Sequence, residues 1–171
     1  MRARLPLLNT VAALSVLALV GVTRPGMAQE VGRFSNDWTG NGLIVQAIED
    51  PKVQGVTCHL VDFDRSLIDR LSKGNWFEDP SNASISCRQT GPVTVGDIDV
   101  SQKGEEVFSE RKSLIFKSIA IRRIYDRPND TLVYVVYSRQ VKDASAKMSI
   151  STVPLFQANA AWEKGRPMAK K

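Results

Sequence analysis

The sequence is poor in the side chains that carry most catalytic chemistry: among 171 residues it has one histidine, His59, and two cysteines, Cys58 and Cys87. It contains no zinc-ligand spacing, no nucleophile elbow and no phosphate-binding loop. It also lacks a second long apolar run, so nothing beyond the first 28 residues is long enough to span a bilayer, and no block is of low complexity. A decisive excess of charge is missing too. The formal net charge is +5, but three of the 23 bases, Arg2, Arg4 and Arg24, fall in an N-terminal leader, and without them the balance is near +2. A basic balance that weak gives no footing for a nucleic-acid partner.

What is present begins with that leader. Arg2 and Arg4 form a positive start, residues 11–22 ("VAALSVLALVGV") are apolar, and "GMA" at 26–28 places small residues where a signal peptidase needs them. The apolar run falls well short of the ~20 residues of a membrane span. The pattern predicts a cleaved signal peptide over 1–28 and export to the periplasm. No cysteine follows the apolar run, which excludes lipoprotein processing, and Arg2 and Arg4 are not adjacent, which argues against the twin-arginine route.

The remainder reads mostly as strand. "GLIVQAI" (42–48), "GVTCHLV" (55–61), "ASISC" (83–87) and "EEVFSER" (105–111) are apolar or alternating. "SLIFKSIAIRRIYD" (113–126) and "TLVYVVYSR" (131–139) flank "RPND" (127–130), a turn that joins them as a hairpin. Ile115, Ile119 and Ile121 share one face of the first strand, and Val133, Val135 and Tyr137 one face of the second. Both strands are apolar on their other faces as well, which predicts a central hairpin covered on both sides. "SISTVPL" (149–155) adds a last strand that Pro154 ends or confines to an edge. One short helix is expected over 64–75, where Leu67, Ile68 and Leu71 fall at helical spacing between Asp64 or Ser66 as cap and Gly74. The fold class is α+β, β-rich: a mainly antiparallel sheet, curled or sandwiched, with one short helix. It occupies one domain over 29–156, followed by a flexible basic tail over 157–171 to which Trp162 can lend an anchor.

Two stretches match without a gap: "EDPKVQGVTC" (49–58) and "EDPSNASISC" (78–87). Each sets an acidic residue before a proline, then a short strand ending at cysteine, so the sulfurs occupy equivalent places. On a strand Cys58 faces the side of Val56 and Leu60 while His59 faces the opposite side, which removes His59 as a base for the thiol. In an exported protein the preferred reading is a strand-to-strand disulfide Cys58–Cys87, ahead of a redox-active pair or a metal site. A bridge closing about 30 residues contributes roughly 3.7 kcal/mol in the chain-entropy model.

With those residues in view the chain resembles the CreA family of exported bacterial proteins. The resemblance is carried by "EDPKVQGVTCHLV" (49–61), "ISCRQTGPV" (85–93), "GEEVFSERKSLIFKSIAIRRIYD" (104–126), "LVYVVYSRQV" (132–141) and "SISTVPL" (149–155). Where that family is often glycine-rich, this chain has "RSLIDRLSKGNWFEDP" (65–80). The resemblance implies a periplasmic protein and transfers no catalytic residue.

Other candidates are weaker. Asp62 and Asp64, like Asp97 and Asp99, form acidic pairs without the loop pattern of a calcium site, and read as solvated strand edges. Arg111, Lys112, Lys117, Arg122 and Arg123 cluster around one strand. Lys117, Arg122 and Arg123 are candidates for an anion or partner contact, although charge that discourages edge pairing is the simpler reading. Trp38, Trp76 and Phe77 read as core aromatics rather than a pocket. "NAS" (82–84) and "NDT" (129–131) fit a glycosylation pattern that has little meaning in a bacterial protein. No catalytic residue, metal or cofactor is implied. The expectation is a non-enzymatic periplasmic domain that binds a periplasmic or inner-membrane protein, or a small ligand, in envelope sensing or regulation. An enzyme of unknown chemistry or a thiol-redox protein using the cysteines is the alternative.

Overall fold

The structure is a computed structural model, described over residues 27–35, 42–64, 83–111, 118–139 and 148–167. Among the described residues nine strands run in order: β1 (Ala28–Ser35), β2 (Gly42–Glu49), β3 (Val53–Asp64), β4 (Ser84–Val95), β5 (Glu105–Arg111), β6 (Ser118–Asp126), β7 (Thr131–Arg139), β8 (Met148–Pro154) and β9 (Ala161–Trp162). They form a five-stranded sheet, β1-β2-β3-β4-β9, and a four-stranded sheet, β5-β6-β7-β8. All pairings are antiparallel except the short parallel contact of β9 with β4. The inner faces share one apolar core, with Leu60, Cys87 and Val95 from the first sheet against Ile121, Leu132 and Val136 from the second.

Alternation explains most of that core, and two bulges explain the rest. Val53 and Val56 are both buried although an odd spacing should put them on opposite faces. The β3–β4 register shifts between Gln54 and Val56, and the extra residue turns the strand over. Gly55 makes the bulge possible: its φ is +76°, and a Cβ there would lie 2.2 Å from the Pro92 carbonyl oxygen. A second shift, between Glu106 and Phe108, lets Glu105 and Phe108 both face the core side of β5.

The hairpin of β6 and β7 forms as the sequence predicts, with Asp126 opposite Thr131 across residues 127–130. It supplies the two inner strands of its sheet. Its inner face is buried at Ile119, Ile121, Leu132 and Val136; on the other face Ala120 is buried as well, while Val133, Val135 and Tyr137 are half-buried. The expectation of cover on both sides therefore holds in part, fully at Ala120 and incompletely along the rest of that face. Pro154 ends β8, as expected.

No helix occurs among the described residues, and β3 continues as strand through Asp64. The short helix expected over 64–75 otherwise lies outside the described residues, as do Trp38, Trp76, Phe77 and the second "EDP" at 78–80. The tail expected to be flexible from 157 is instead docked along β4 by β9, as far as it is described.

Candidate functional site

Cys58 and Cys87 face each other directly across β3 and β4 and are joined as a disulfide. Both are buried among core side chains, at 3% and 1% exposure. A thiol-redox role needs an accessible sulfur, and this bridge presents none. His59 lies between Ala47 and Ser86 on the other face of the sheet, half-buried, so no Cys-His dyad exists.

The chemistry gathers elsewhere, beneath the turn joining β2 to β3. Asp50, the aspartate of the first "EDP", is held by its own turn: its Oδ1 accepts the amides of Lys52 (2.9 Å) and Val53 (3.1 Å). The same oxygen accepts from Nη1 of Arg123 on β6, and Oδ2 accepts the hydroxyl of Tyr134 on β7 at 2.8 Å. Nη2 of Arg123 donates to Glu105 Oε2 at 2.7 Å, and Glu105 Oε1 pairs with the Lys52 ammonium. The side chains of Asp50 and Arg123 are 0% and 1% exposed, so this is a fully buried ion pair between the two sheets. Register builds it: Glu105, Arg123 and Tyr134 lie directly opposite one another along β5, β6 and β7.

Burial pushes the Tyr134 hydroxyl well above its ordinary range, and the negative charge of Asp50 adds to the effect. The phenol therefore stays a neutral donor to Asp50. Two acids face two bases, so the cluster is balanced in charge, with Arg123 Nε its one buried polar atom lacking a hydrogen-bond partner. Such an arrangement cross-braces the sheets and holds no group poised to attack a substrate.

The weaker sequence candidates do not converge. Arg123 belongs to this cluster, whereas Arg122 donates from Nη1 to the carbonyls of Lys103 (2.9 Å) and Gly104 (3.2 Å). Lys117 lies outside the described residues. Asp62 is buried, its Oδ1 accepting the Phe63 amide at 2.8 Å, which corrects the solvated-edge reading. Asp97 and Asp99 follow β4 in a loop and are exposed; Asp97 pairs with Lys164 and Asp99 accepts the Ser101 amide. No group of three or more His, Cys, Asp or Glu side chains suited to a metal ion occurs among the described residues. Sequence reasoning missed Asp50, Glu105 and Tyr134. The signal for Asp50 was its place before proline in a repeated motif, while nothing local marked the other two.

Fold and site together define a class: a β domain of two sheets, with one disulfide inside the first sheet and a buried ion cluster bracing the two. Within that class the chain belongs to the CreA family, whose profile, described as "CreA protein", matches residues 31–158. It is similar to Protein CreA of Escherichia coli K12, 36% identical over 147 residues that cover 82% of this chain and 92% of the relative. Protein CreA from the O6:H1 and O157:H7 strains stands at the same identity and coverage. No solved structure matches the chain significantly.

Proposed function

We propose that this CreA-family chain is an exported, periplasmic interaction domain that docks an envelope protein in sensing or regulation, without catalysis. The observation that carries the reading is the contrast between its interior and its edges. The disulfide and the Asp50–Arg123 cluster engage the reactive groups internally, while the outermost strands carry exposed large apolar side chains. Val31 and Phe34 on β1 are 60% and 55% exposed, and Met148 and Ile150 on β8 are 70% and 63% exposed. Large apolar side chains left exposed on edge strands are candidates for a docking surface. The leader supports export, and an oxidising compartment suits the bridge.

The test is chemical cross-linking in intact cells of the source bacterium, followed by mass spectrometry. One envelope protein should recur in the adducts, and Met148→Ser with Ile150→Ser or Val31→Ser with Phe34→Ser should reduce its yield. Adducts with cytoplasmic proteins only, or yields that neither pair of substitutions changes, would overturn the reading.

A further inference from the structure

Beyond β8 the chain leaves one sheet and crosses to the other. The Leu155 amide donates to the Asp130 carbonyl at 2.8 Å, and Ala158 and Ala160 pack against the rim of the core. Ala161 and Trp162 then pair in parallel with Thr94 and Val95, and the Glu163 amide donates to the Val95 carbonyl at 3.0 Å. The segment turns at Gly165, whose amide donates to the Trp162 carbonyl at 3.2 Å. It thus lies as a strap in a groove between the end of β4 and the β6–β7 turn.

The groove has a floor and two walls. Its floor is the Tyr125 ring, which Trp162 meets edge-on at 5.2 Å between centroids. Its walls are acidic. Asp97 pairs with Lys164 Nζ at 2.6 Å, and Asp130 Oδ2 lies 3.2 Å from Arg166 Nη2 as an ion pair without a hydrogen bond, while its Oδ1 takes the Tyr125 hydroxyl at 2.9 Å. The strap supplies the complement: one aromatic and two basic side chains on an extended backbone.

The polar hold on the strap is slight. Two residues pair with β4, and the Lys164–Asp97 and Arg166–Asp130 pairs are open to solvent on at least one side, where such pairs hold weakly. The indole N–H of Trp162 is buried without an acceptor, a defect that a better-fitted occupant would lack. Val95, Asp97, Tyr125 and Asp130 lie within the family match over residues 31–158, and Trp162, Lys164 and Arg166 lie beyond it.

We propose that this groove is a docking site for an extended, basic segment of a partner protein bearing one aromatic side chain, and that residues 159–167 occupy it in cis. The partner adds as a strand beside the end of β4, sets its aromatic ring on Tyr125 and its cations on Asp97 and Asp130. Cis occupancy lowers the apparent affinity for the partner by the fraction of time the groove is open. The inference depends neither on the compartment nor on the apolar rows of β1 and β8.

The experiment uses the full chain and a labelled, end-capped peptide of residues 157–167, "QANAAWEKGRP", followed by fluorescence anisotropy. Two variants loosen the strap: Trp162→Ala, and the double change Lys164→Glu with Arg166→Glu. The second alters only partly or largely exposed side chains and so keeps the test open should Trp162→Ala fail to fold. Each folded variant should bind the peptide about tenfold or more tightly than the unaltered chain does. A peptide with alanine for its tryptophan should not bind, and Asp97→Lys in the loosened chain should weaken binding. Equal binding by loosened and unaltered chains, or equal binding of a scrambled peptide, overturns the inference. A cross-linked partner found alongside that result would leave the interaction-domain reading intact.

Discussion

Arg123 of β6 reaches across the core to Asp50 in the β2–β3 turn, and neither side chain is more than 1% exposed. The guanidinium cannot shed its charge, so removal of the carboxylate leaves a buried cation with only the half-buried Glu105 beside it. Asp50→Ala should therefore lose about 3–5 kcal/mol of stability, a large part of a small domain's margin. Arg123→Met should cost a similar amount by stranding Asp50. The double variant should lose clearly less than the sum, because each residue's cost is mostly the other's isolation. Denaturant midpoints for the four proteins give the coupling; strict additivity would mean that the pair does not hold the sheets together.

Alkali should act on the same cluster. Burial and the Asp50 charge raise the Tyr134 phenol well above 10, and burial with the hydrogen bond to Asp130 raises Tyr125 to about 12. The folded state therefore keeps both protons after the unfolded chain has released them. Stability is unaffected by these groups below pH 10 and falls as the pH rises towards about 12. Tyr134 should contribute more, since the Tyr125 hydroxyl sits at the half-exposed rim beside Arg166. Tyr125→Phe should flatten part of the decline and Tyr134→Phe a larger part, although the second also deprives Asp50 of a donor. A decline of unchanged shape in both variants would remove the phenols as its cause.

Gly104 sets the approach of Glu105 to Arg123. Its φ is +60°, and a Cβ there would lie 2.1 Å from the Arg123 carbonyl oxygen and 2.8 Å from Ile124 Cγ1. Gly165, at φ +79°, has nothing within 4 Å. Gly165→Ala should cost only the left-handed backbone term, about 1–2 kcal/mol. Gly104→Ala carries the same term and a backbone collision besides, so its melting temperature should fall much further. Equal losses would show that the β5 turn yields easily.

How much of this was legible beforehand differs by feature. The disulfide was readable because two copies of one pattern place both cysteines on alternating strands of a chain expected in an oxidising compartment, although neither cysteine ends its strand and the antiparallel register of β3 and β4 is what sets them opposite. The 113–139 hairpin was readable because "RPND" is local turn chemistry between two β-branched runs. The ion cluster was not, since Asp50 and Arg123 are 73 residues apart and a charged residue on a strand ordinarily faces water. The parity changes at Gly55 and after Glu106 were also hidden: an alternation count carries no mark for an inserted residue unless a glycine betrays it. The second face of the hairpin is covered only in part, because apolar side chains on both faces of β7 are equally compatible with a half-buried outward face.

The seam between the sheets makes the last prediction. At the Cys58–Cys87 position the two strands face each other without exchanging backbone hydrogen bonds there, so the Cys87 amide points away from β3. It donates instead to Ser151 Oγ of β8 at 2.8 Å, which ties the free edge of β4 to the second sheet. The disulfide and this hydrogen bond therefore hold the same strand from opposite sides. Removal of the bridge by Cys58→Ala with Cys87→Ala should lower stability by about 3–4 kcal/mol, chiefly by freeing the unfolded chain. Ser151→Ala acts on the folded side and should cost about 1–3 kcal/mol, since it leaves a buried amide without an acceptor. In the intact protein, alkylation without reductant should label neither cysteine, and the Cys87 amide should exchange as slowly as the core amides of β6. Rapid exchange at Cys87 with the disulfide intact would mean that β4 and β8 part readily there, leaving the Asp50–Arg123 cluster, the core and the strap of residues 159–167 to join the two sheets.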